Sequence, residues 1–502
     1  MAKGGSEFAG RLWNGRRSTV NTDASWPTAE LAKARVLRIQ TKLHQWATDD
    51  PDRRFDDLYN LVYDPAVLVD AWARVRSNRG ARSAGVDGRT ARHIMTVVGE
   101  HGFLSELRED LKARRFCPEA VREVMIPKRG GKYRRLGIAT VRDRVVQAAL
   151  KTVLEPILEA DFKPCSYGFR PGRRVQDAIA EIHFFTSRSY EWIVEGDITA
   201  CFDEISHVGV LDRLRARVGD KRILLVVKAF LKAGILSREG VERHPITGTP
   251  QGGILSPLLS NLALSVLDEH FVAAWESFAT EWARRSRQSK GLANYRLVRY
   301  ADDWVVLVAG DRAHAEALRD QAAAVLATMG LRLSLQKTRI AHIDEGFDFL
   351  GRRIQRHIKR GTKRQHVNTY PSKAALASIK DKVRAGTQRT STNQSLADLC
   401  DRLNPALPGL TTHFRHDVSK ATFSYLNDFL WKHTVRWLRK KHPRASWKTL
   451  RRLYLPEWWP TEGEKTLFNP SSVPVSRYRY RGDRIPSPWA TQRRPTPQTT
   501  TE

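Results

Sequence analysis

The amino-acid sequence predicts an α+β protein followed by an all-helical C-terminal region. Three observations carry this expectation. Between residues 61 and about 351, helical stretches alternate with short β-rich runs: EVMIP (123–127), EWIVEGDI (191–198), YRLVRY (295–300) and DWVVLVAG (303–310). Beyond residue 351 the composition turns basic and then takes on a helical period. At 502 residues and 41% hydrophobic content, the chain is too long for one compact core and has ample apolar material for two or three domains.

Taken in order, residues 1–65 are polar and irregular until AELAKARVLRIQTKLHQWA (29–47), where apolar residues recur at helical spacing, and they read as an appended helical extension. Residues 66–365 hold the β-rich runs, separated by turn signals such as DGR and KRGGK. Residues 352–395 carry twelve Lys/Arg against a single acid, Asp381. Within 366–460, Phe423, Leu426, Phe429, Leu430, Val435, Trp437 and Leu438 form an apolar stripe near period 3.6. The stripe runs into 432–454, with nine Lys/Arg and no acid. A basic face backed by an apolar one suits a helix lying along a phosphate backbone, and Arg436, Arg439, Lys440, Lys441, Arg444, Lys448 and Arg451 are the candidate RNA contacts. Residues 461–502, rich in Pro, Thr and Arg, are expected to form a loosely packed tail.

The 85 Lys+Arg against 54 Asp+Glu leave a net charge of +31, more than solubility requires, and point to a polyanionic partner: nucleic acid first, an anionic membrane second. No run approaches the length of a membrane span, and the opening residues lack the apolar stretch of a secretory signal, so an intracellular protein without a membrane partner is expected. Cys117, Cys165, Cys201 and Cys400 form no C-x-x-C pair, which argues against a disulfide framework or a zinc module.

The stretch LVRYADDWVVL (297–307) sets Asp302 and Asp303 between apolar runs that read as the halves of a tight hairpin. Adjacent carboxylates repel and resist burial, so a bound cation or open water must offset them. Asp197 closes a second apolar run 105 residues earlier, where it enters a turn. Three acids so placed could surround a metal pair, as nucleotidyl transfer requires. Taken alone, an Asp at a strand end is more often a cap or turn residue, and an Asp-Asp pair in a hairpin is usually polar punctuation.

Order and neighbours add a resemblance. YADD (300–303) resembles the reverse transcriptase signature, and the chain is similar, block by block, to the bacterial group II intron reverse transcriptase/maturase family. NRGARSAGVDG (78–88) resembles its extra N-terminal block, IPKRGGKYRRLGIATVRDRVVQ (126–147) its fingers, and SYGFRPGR (166–173) the next block. GDITACFDEI resembles the first palm motif, GTPQGGILSPLLSNL (248–262) the nucleotide-pocket turn and helix, and LRLSLQKT and FDFLG the last two blocks. LNPALPGLTTHFR (403–415) and the basic helices after it resemble the thumb and maturase region.

The resemblance implies a right-hand polymerase, with fingers and a palm built on an antiparallel sheet, followed by an all-helical thumb/maturase domain. It implies Mg²⁺ held by the catalytic acids Asp197, Asp302 and, more weakly, Asp303. It places Phe202 where a ring excludes a ribose 2′-hydroxyl, the amides of Ala200 and Cys201 towards the triphosphate, Lys128 and Arg134 on the phosphates, Gln251 in the nucleotide pocket and Lys337 beside the departing pyrophosphate. The implied partners are group II intron RNA, template RNA, a DNA primer or target and deoxynucleoside triphosphates, in the bacterial cytoplasm or nucleoid; a second copy of the chain is a further candidate partner. No cysteine pairs of an HNH-type endonuclease occur, so a primer would come from elsewhere, for instance a nascent strand at a replication fork. Two other readings stay open: a relative recruited to host defence or spacer acquisition, and a non-catalytic RNA-binding splicing factor. His207, His244 and His342 are isolated and receive no role.

Overall fold

The computed structural model describes residues 26–127, 133–237, 242–243, 247–248, 252–334, 336–359 and 361–490. Helix α1 (Ala29–Asp49) starts at Thr28, whose hydroxyl accepts from the Leu31 amide. It packs on α2 (Pro65–Ser77), and Val36, Leu43 and Ala47 join the main core. The expected appended segment is thus part of the body, because its apolar stripe finds a partner in the reverse-transcriptase-like region. Strands β1 (Val121–Pro127) and β2 (Tyr133–Ile138) pair antiparallel, and the short strands Ile235–Leu236 and Glu242–Arg243 extend their sheet.

Helix α3 (Val141–Asp161) is capped by Thr140 and is buried along most of its length. Helix α4 (Val175–Thr186) follows. The central sheet comprises β3 (Trp192–Gly196), β4 (Asn294–Tyr300), β5 (Asp303–Ala309) and β6 (Arg339–His342) in the order β4-β5-β3-β6, every pair antiparallel. Helix α5 (Ser256–Ser277), between β3 and β4 in sequence, and α6 (Arg312–Ala327), between β5 and β6, cover one face. That face presents Val194, Leu297, Trp304, Val306 and Val308. Ile193, Val298, Val305 and Leu307 point the other way, into a second cluster with Ile179 and Ile182 of α4. Burial on both faces explains why β5 reads as a continuous apolar run.

Strands β7 (Phe347–Phe349), β8 (Arg352–Ile358) and β9 (Gln365–Pro371) form a separate antiparallel sheet beside α4. It leads into α7 (Lys373–Gly386), α8 (Leu396–Leu403), α9 (Lys420–Lys441) and α10 (Trp447–Tyr454). The expected stripe on α9 is buried at Phe423, Leu426, Leu430, Val435, Trp437 and Leu438, with Phe429 half-buried. The protein is therefore a mixed α/β fold with a helical C-terminal part. Among the described residues, no helix is long and apolar enough to cross a membrane.

The C-terminal segment departs from expectation, because residues 461–490 are laid onto the body. Leu467 joins the helical core and Ile485 the cluster under the sheet, while the Trp489 indole donates to Gln40 of α1 at 3.3 Å. The composition of the segment is that of a loose tail; its few aromatic and apolar residues have found buried sites.

One buried ion pair fixes the hairpin between β4 and β5. Arg299 and Asp268 of α5 are both 0% exposed. The guanidinium donates to the two carboxylate oxygens at 2.7 and 2.5 Å, to Asn261 Oδ1 and the Ala301 carbonyl at 2.9 Å each, and to Ser166 Oγ at 2.8 Å. These acceptors use the full set of guanidinium N–H groups. Removing one partner strands a buried charge, whereas replacing both with apolar groups does not. Arg299→Met is therefore expected to cost about 3–5 kcal/mol, with much of the loss recovered in Arg299→Met/Asp268→Leu. Thermal and urea unfolding of the two variants check this; equal losses in both would remove the ion pair from its assigned part.

A second buried acid supplies a pH signature. Asp143, 1% exposed, accepts from the Glu119 amide at 3.1 Å, but its Oδ1 has no partner. Burial pushes its carboxyl up to about 7. Between the ordinary carboxylate range and that value, the folded chain keeps a proton that the unfolded chain has lost. Its contribution is thus complete at low pH and is lost as pH rises through about 7. Asp143→Asn is expected to flatten the fall in stability between about pH 5 and 8, gaining roughly 1–4 kcal/mol at the alkaline end. Denaturation midpoints across that range test it, and parallel curves for the two proteins would refute it.

Candidate active site

Strand β3 ends at Gly196, and Asp197 follows as the chain leaves the sheet. Gly196 is required: a Cβ there would lie 2.0 Å from the indole of Trp304, which crosses it from β5. Continuing the β3–β5 register one step past Gly196↔Trp304 sets Asp197 opposite Asp303. Tyr300 pairs with Asp303 across the hairpin, leaving Ala301 and Asp302 as its two-residue turn. Ala301 takes the positive φ, 58°, that tight primed turns demand. Segment 165–167 hydrogen-bonds alongside Arg299, and Gly168 then meets the turn so closely that a Cβ would be 2.4 Å from the Ala301 nitrogen. The expected strand end and acidic hairpin are therefore neighbours.

Asp197 is held from below by the segment before β6. Its carbonyl accepts from Ser334 at 2.8 Å, and Lys337 Nζ meets its Oδ2 at 2.8 Å. Asp197 and Asp302 are half-buried, and Asp303 is exposed. Removal from bulk water, and then the carboxylates of Asp302, Asp197 and Glu195, push the Asp303 acid up to about 6. A hard cation would relieve this excess of negative charge, and the oxygen donors suit a divalent ion. In charge and donor type the residues fit such an ion. The side chains are not gathered around one point, however: among the described residues, no three His, Cys, Asp or Glu form a group that could hold a metal. Lys337 supplies the positive charge on Asp197.

After Asp197 the chain turns at Ala200, at φ 43° and ψ 42°, into a single helical turn, Cys201–Glu204. The N–H groups of Ala200 and Cys201 have no acceptor among the described residues. Cys201 is buried, and burial, with Asp302 nearby, pushes its thiol up to about 12. It is a packing residue beside the acids. Phe202 is half-buried on the same turn. Gly248 seats against that turn, where a Cβ would be 2.7 Å from the Phe202 carbonyl, and Thr247 donates to the Asp203 carbonyl at 3.0 Å. Gly252, at φ 106°, lies against Leu136 and Gly137 of β2. The segment resembling the nucleotide-pocket turn thus bridges the Phe202 turn and the β1–β2 hairpin. Arg134 is exposed on β2, opposite Ile126. Lys128 and Gln251 lie outside the described residues.

Of the basic residues singled out beyond 430, Arg436, Arg439, Lys440, Arg444, Lys448 and Arg451 are exposed. Lys441 differs from them: it is half-buried, and its ammonium donates to the Thr392 and Gln394 carbonyls at 3.0 and 2.7 Å, closing a loop of its own region. Arg439 lies over Trp447 and Arg451 over Trp458. Sequence reasoning missed Arg299, Asp268, Asn261 and Gly168. Their signal was present: an arginine inside an apolar strand and an aspartate inside an apolar helix both need a partner.

Comparison with known proteins identifies two domains in the chain. Residues 126–354 match the family described as reverse transcriptase (RNA-dependent DNA polymerase), and residues 376–455 match the group II intron, maturase-specific domain. The chain is 35% identical over 359 residues to Protein YkfC of Escherichia coli K12, a span covering 68% of this chain and 93% of that protein. It is 30% identical over 407 residues to the group II intron-encoded protein LtrA of Lactococcus lactis, covering 70% of this chain and 65% of LtrA. It is 24% identical over 295 residues to nuclear intron maturase 1, mitochondrial, of Arabidopsis thaliana, covering 43% and 41% of the two chains. With both domains present in order and the acids of the YADD hairpin set beside Asp197, the chain belongs to the group II intron-encoded reverse transcriptase/maturase family.

Proposed function

We propose that the protein is an RNA-directed DNA polymerase that also binds a group II intron RNA, promoting its splicing and retrohoming, with nucleotidyl transfer at Asp197, Asp302 and Asp303. The observation that carries this reading is the antiparallel pairing of β3 with the β4–β5 hairpin, which brings a strand-end carboxylate beside a hairpin with one acid in its turn and a second at the start of β5. Asp197 and Asp302 are the principal holders of Mg²⁺, with Asp303 supporting. When bound, Mg²⁺ supplies charge to the phosphate oxygens and favours ionisation of the attacking 3′-hydroxyl.

The chain's own groups do the positioning. Lys337, paired with Asp197 in the free protein, is within reach of the leaving pyrophosphate once the acid has another cation. The free amides of Ala200 and Cys201 take the triphosphate, and the Phe202 ring beside them bars a ribose 2′-hydroxyl. Lys128 and Arg134 take phosphate charge as a point ammonium and a planar fork, and Gln251 lines the deoxynucleotide pocket. In this layout residues 66–365 form fingers and palm, and 366–460 form the thumb/maturase region that lies along template RNA, DNA primer and intron RNA. Helical RNA is gripped there through phosphates and shape.

Asp302→Asn is expected to lower primer extension on an RNA template with Mg²⁺ at least about a hundredfold, while template-primer binding stays within about twofold. Full extension by the variant would remove the assigned metal role. Replacing Arg436, Arg439 and Lys440 together by alanine is expected to weaken binding to the intron RNA and to reduce the slope of log affinity against log salt by about one for each phosphate no longer engaged. Filter binding at several salt concentrations measures this, and an unchanged slope would take these residues off the RNA.

A further inference from the structure

Away from the acids, the C-terminal strap roofs a cavity of about 490 Å³ between α4 and β9. The strap is firmly seated. Arg481 donates to both oxygens of Asp177 at 2.8 and 2.6 Å, the Tyr478 hydroxyl reaches the same carboxylate at 3.0 Å, and the Tyr480 hydroxyl reaches Glu181 at 3.1 Å. The wall so made is aromatic and cationic. The Phe184 ring stacks on Tyr480, with centroids 4.4 Å apart and planes 23° apart, and carries the Arg188 guanidinium 3.7 Å from its centroid. Arg477, Gln365, His366 and Asn368 line the same cavity, and among the described residues their side chains make no hydrogen bond or ion pair. The lining carboxylate, Asp417, is neutralised by Arg352 at 2.8 and 3.1 Å and accepts from Thr369.

A volume of this size suits one ligand of moderate size, with apolar surface for a ring and a few polar groups to fix it. The uncompensated charge is positive and comes from arginines, which recognise phosphate through their planar fork. Free carboxamides of the Gln365 and Asn368 kind pair with base edges, and aromatic surfaces take bases. An acidic peptide would satisfy the arginines but would have no use for the ring-lined interior or the amides. We propose that this cavity binds a nucleoside phosphate, with the phosphate on Arg188 and Arg477 and the base lodged against the aromatic wall within reach of Gln365 and Asn368. The site shares no residue with the Asp197–Asp302 centre, and it does not depend on the polymerase reading. Its ligand is either a nucleotide within a single strand or a free nucleotide.

The test is photocrosslinking of the full chain, using a 4-thiouridine RNA oligonucleotide and, separately, 8-azido-ATP, with adducts mapped to peptides. Adducts are expected on the peptide holding Tyr478 and Tyr480 and are expected to disappear in Arg188→Glu and Arg477→Glu. Arg188 also packs on Phe184 and donates to its carbonyl at 2.8 Å, so the melting temperature is followed for both, and the exposed Arg477→Glu, which breaks no hydrogen bond or ion pair among the described residues, keeps the test decisive. Affinity for the oligonucleotide is expected to fall about fivefold or more in each variant at moderate salt. Labelling by the oligonucleotide alone assigns a nucleotide within a strand; labelling by the azido nucleotide as well assigns a free one. The proposal is overturned if neither probe labels this peptide, if labelling persists in both charge-reversed variants, or if polyglutamate displaces the probes as well as unlabelled nucleotide does.

Discussion

A guanidinium removed from water must place each of its N–H groups on an acceptor, and this requirement organises the centre of the molecule around Arg299. The acceptors come from four places in the sequence: Ser166, Asn261, Asp268 and the carbonyl of Ala301. Satisfying them brings the long helix α5, the segment before α4 and the acidic turn to one point. Asn261 also donates to the Gly168 carbonyl at 2.8 Å, so the contact between that glycine and the turn is held on both sides. A network of this kind is high-stakes, because complete satisfaction fixes one geometry and partial satisfaction is worse than an apolar core. The position of Asp302 follows from it: the turn cannot shift without breaking a bond to a fully buried charge.

That rigidity has a use at the surface. Three carboxylates on neighbouring strand ends repel one another, and the Asp303 acid is raised first by loss of bulk water and then by that repulsion. A flexible loop would relax by moving its acids apart. Here Asp197 is fixed by the register of β3 with β5 and by the Ser334 amide, and Asp302 by the Arg299 guanidinium, which holds the carbonyl of the preceding residue, Ala301. The repulsion therefore remains available to be relieved by cations: Lys337 in the free protein, and divalent ions in the proposed reaction. Strain held at a functional site by an over-determined surround is a general pattern.

The central sheet and the helical C-terminal part were legible in the sequence because their signals are local: a continuous apolar run for β5, a helical stripe for α9, and two adjacent acids between strands. The relation of Asp197 to Asp302 was legible only through motif order, since periodicity carries no information about which strands pair. Arg299 lay inside the very stretch that drew attention to the acids, yet its partners are 31 and 133 residues distant, and nothing local announces them. The internal bonds of Lys441 were hidden for a related reason. The residue belongs to a run of cations that looks uniform in sequence, and only the loop at Thr392 and Gln394 separates it from its exposed neighbours. The helix at residues 29–49 looked appended because sequence shows that a stripe exists, without showing what covers it.

The C-terminal strap extends the same lesson from packing to charge. Asp177 and Glu181 on α4 are both buried, at 3% and 0% exposure. Asp177 caps its own helix through the Arg174 amide and otherwise depends on Tyr478 and Arg481. Glu181 is shared by Tyr167, Arg296 and Tyr480. Arg296 in turn holds Asp483 at 2.9 Å. Two acids on a helix beneath the central sheet are thus balanced partly by residues about 300 positions later, and buried acids without such partners are costly. A segment whose composition resembles a disordered tail is held in place because it completes the partners of two buried acids, Arg481 supplying the ion pair to Asp177 and Tyr480 a further donor to Glu181. It then passes over α4 to reach α1, joining the two ends of the described chain.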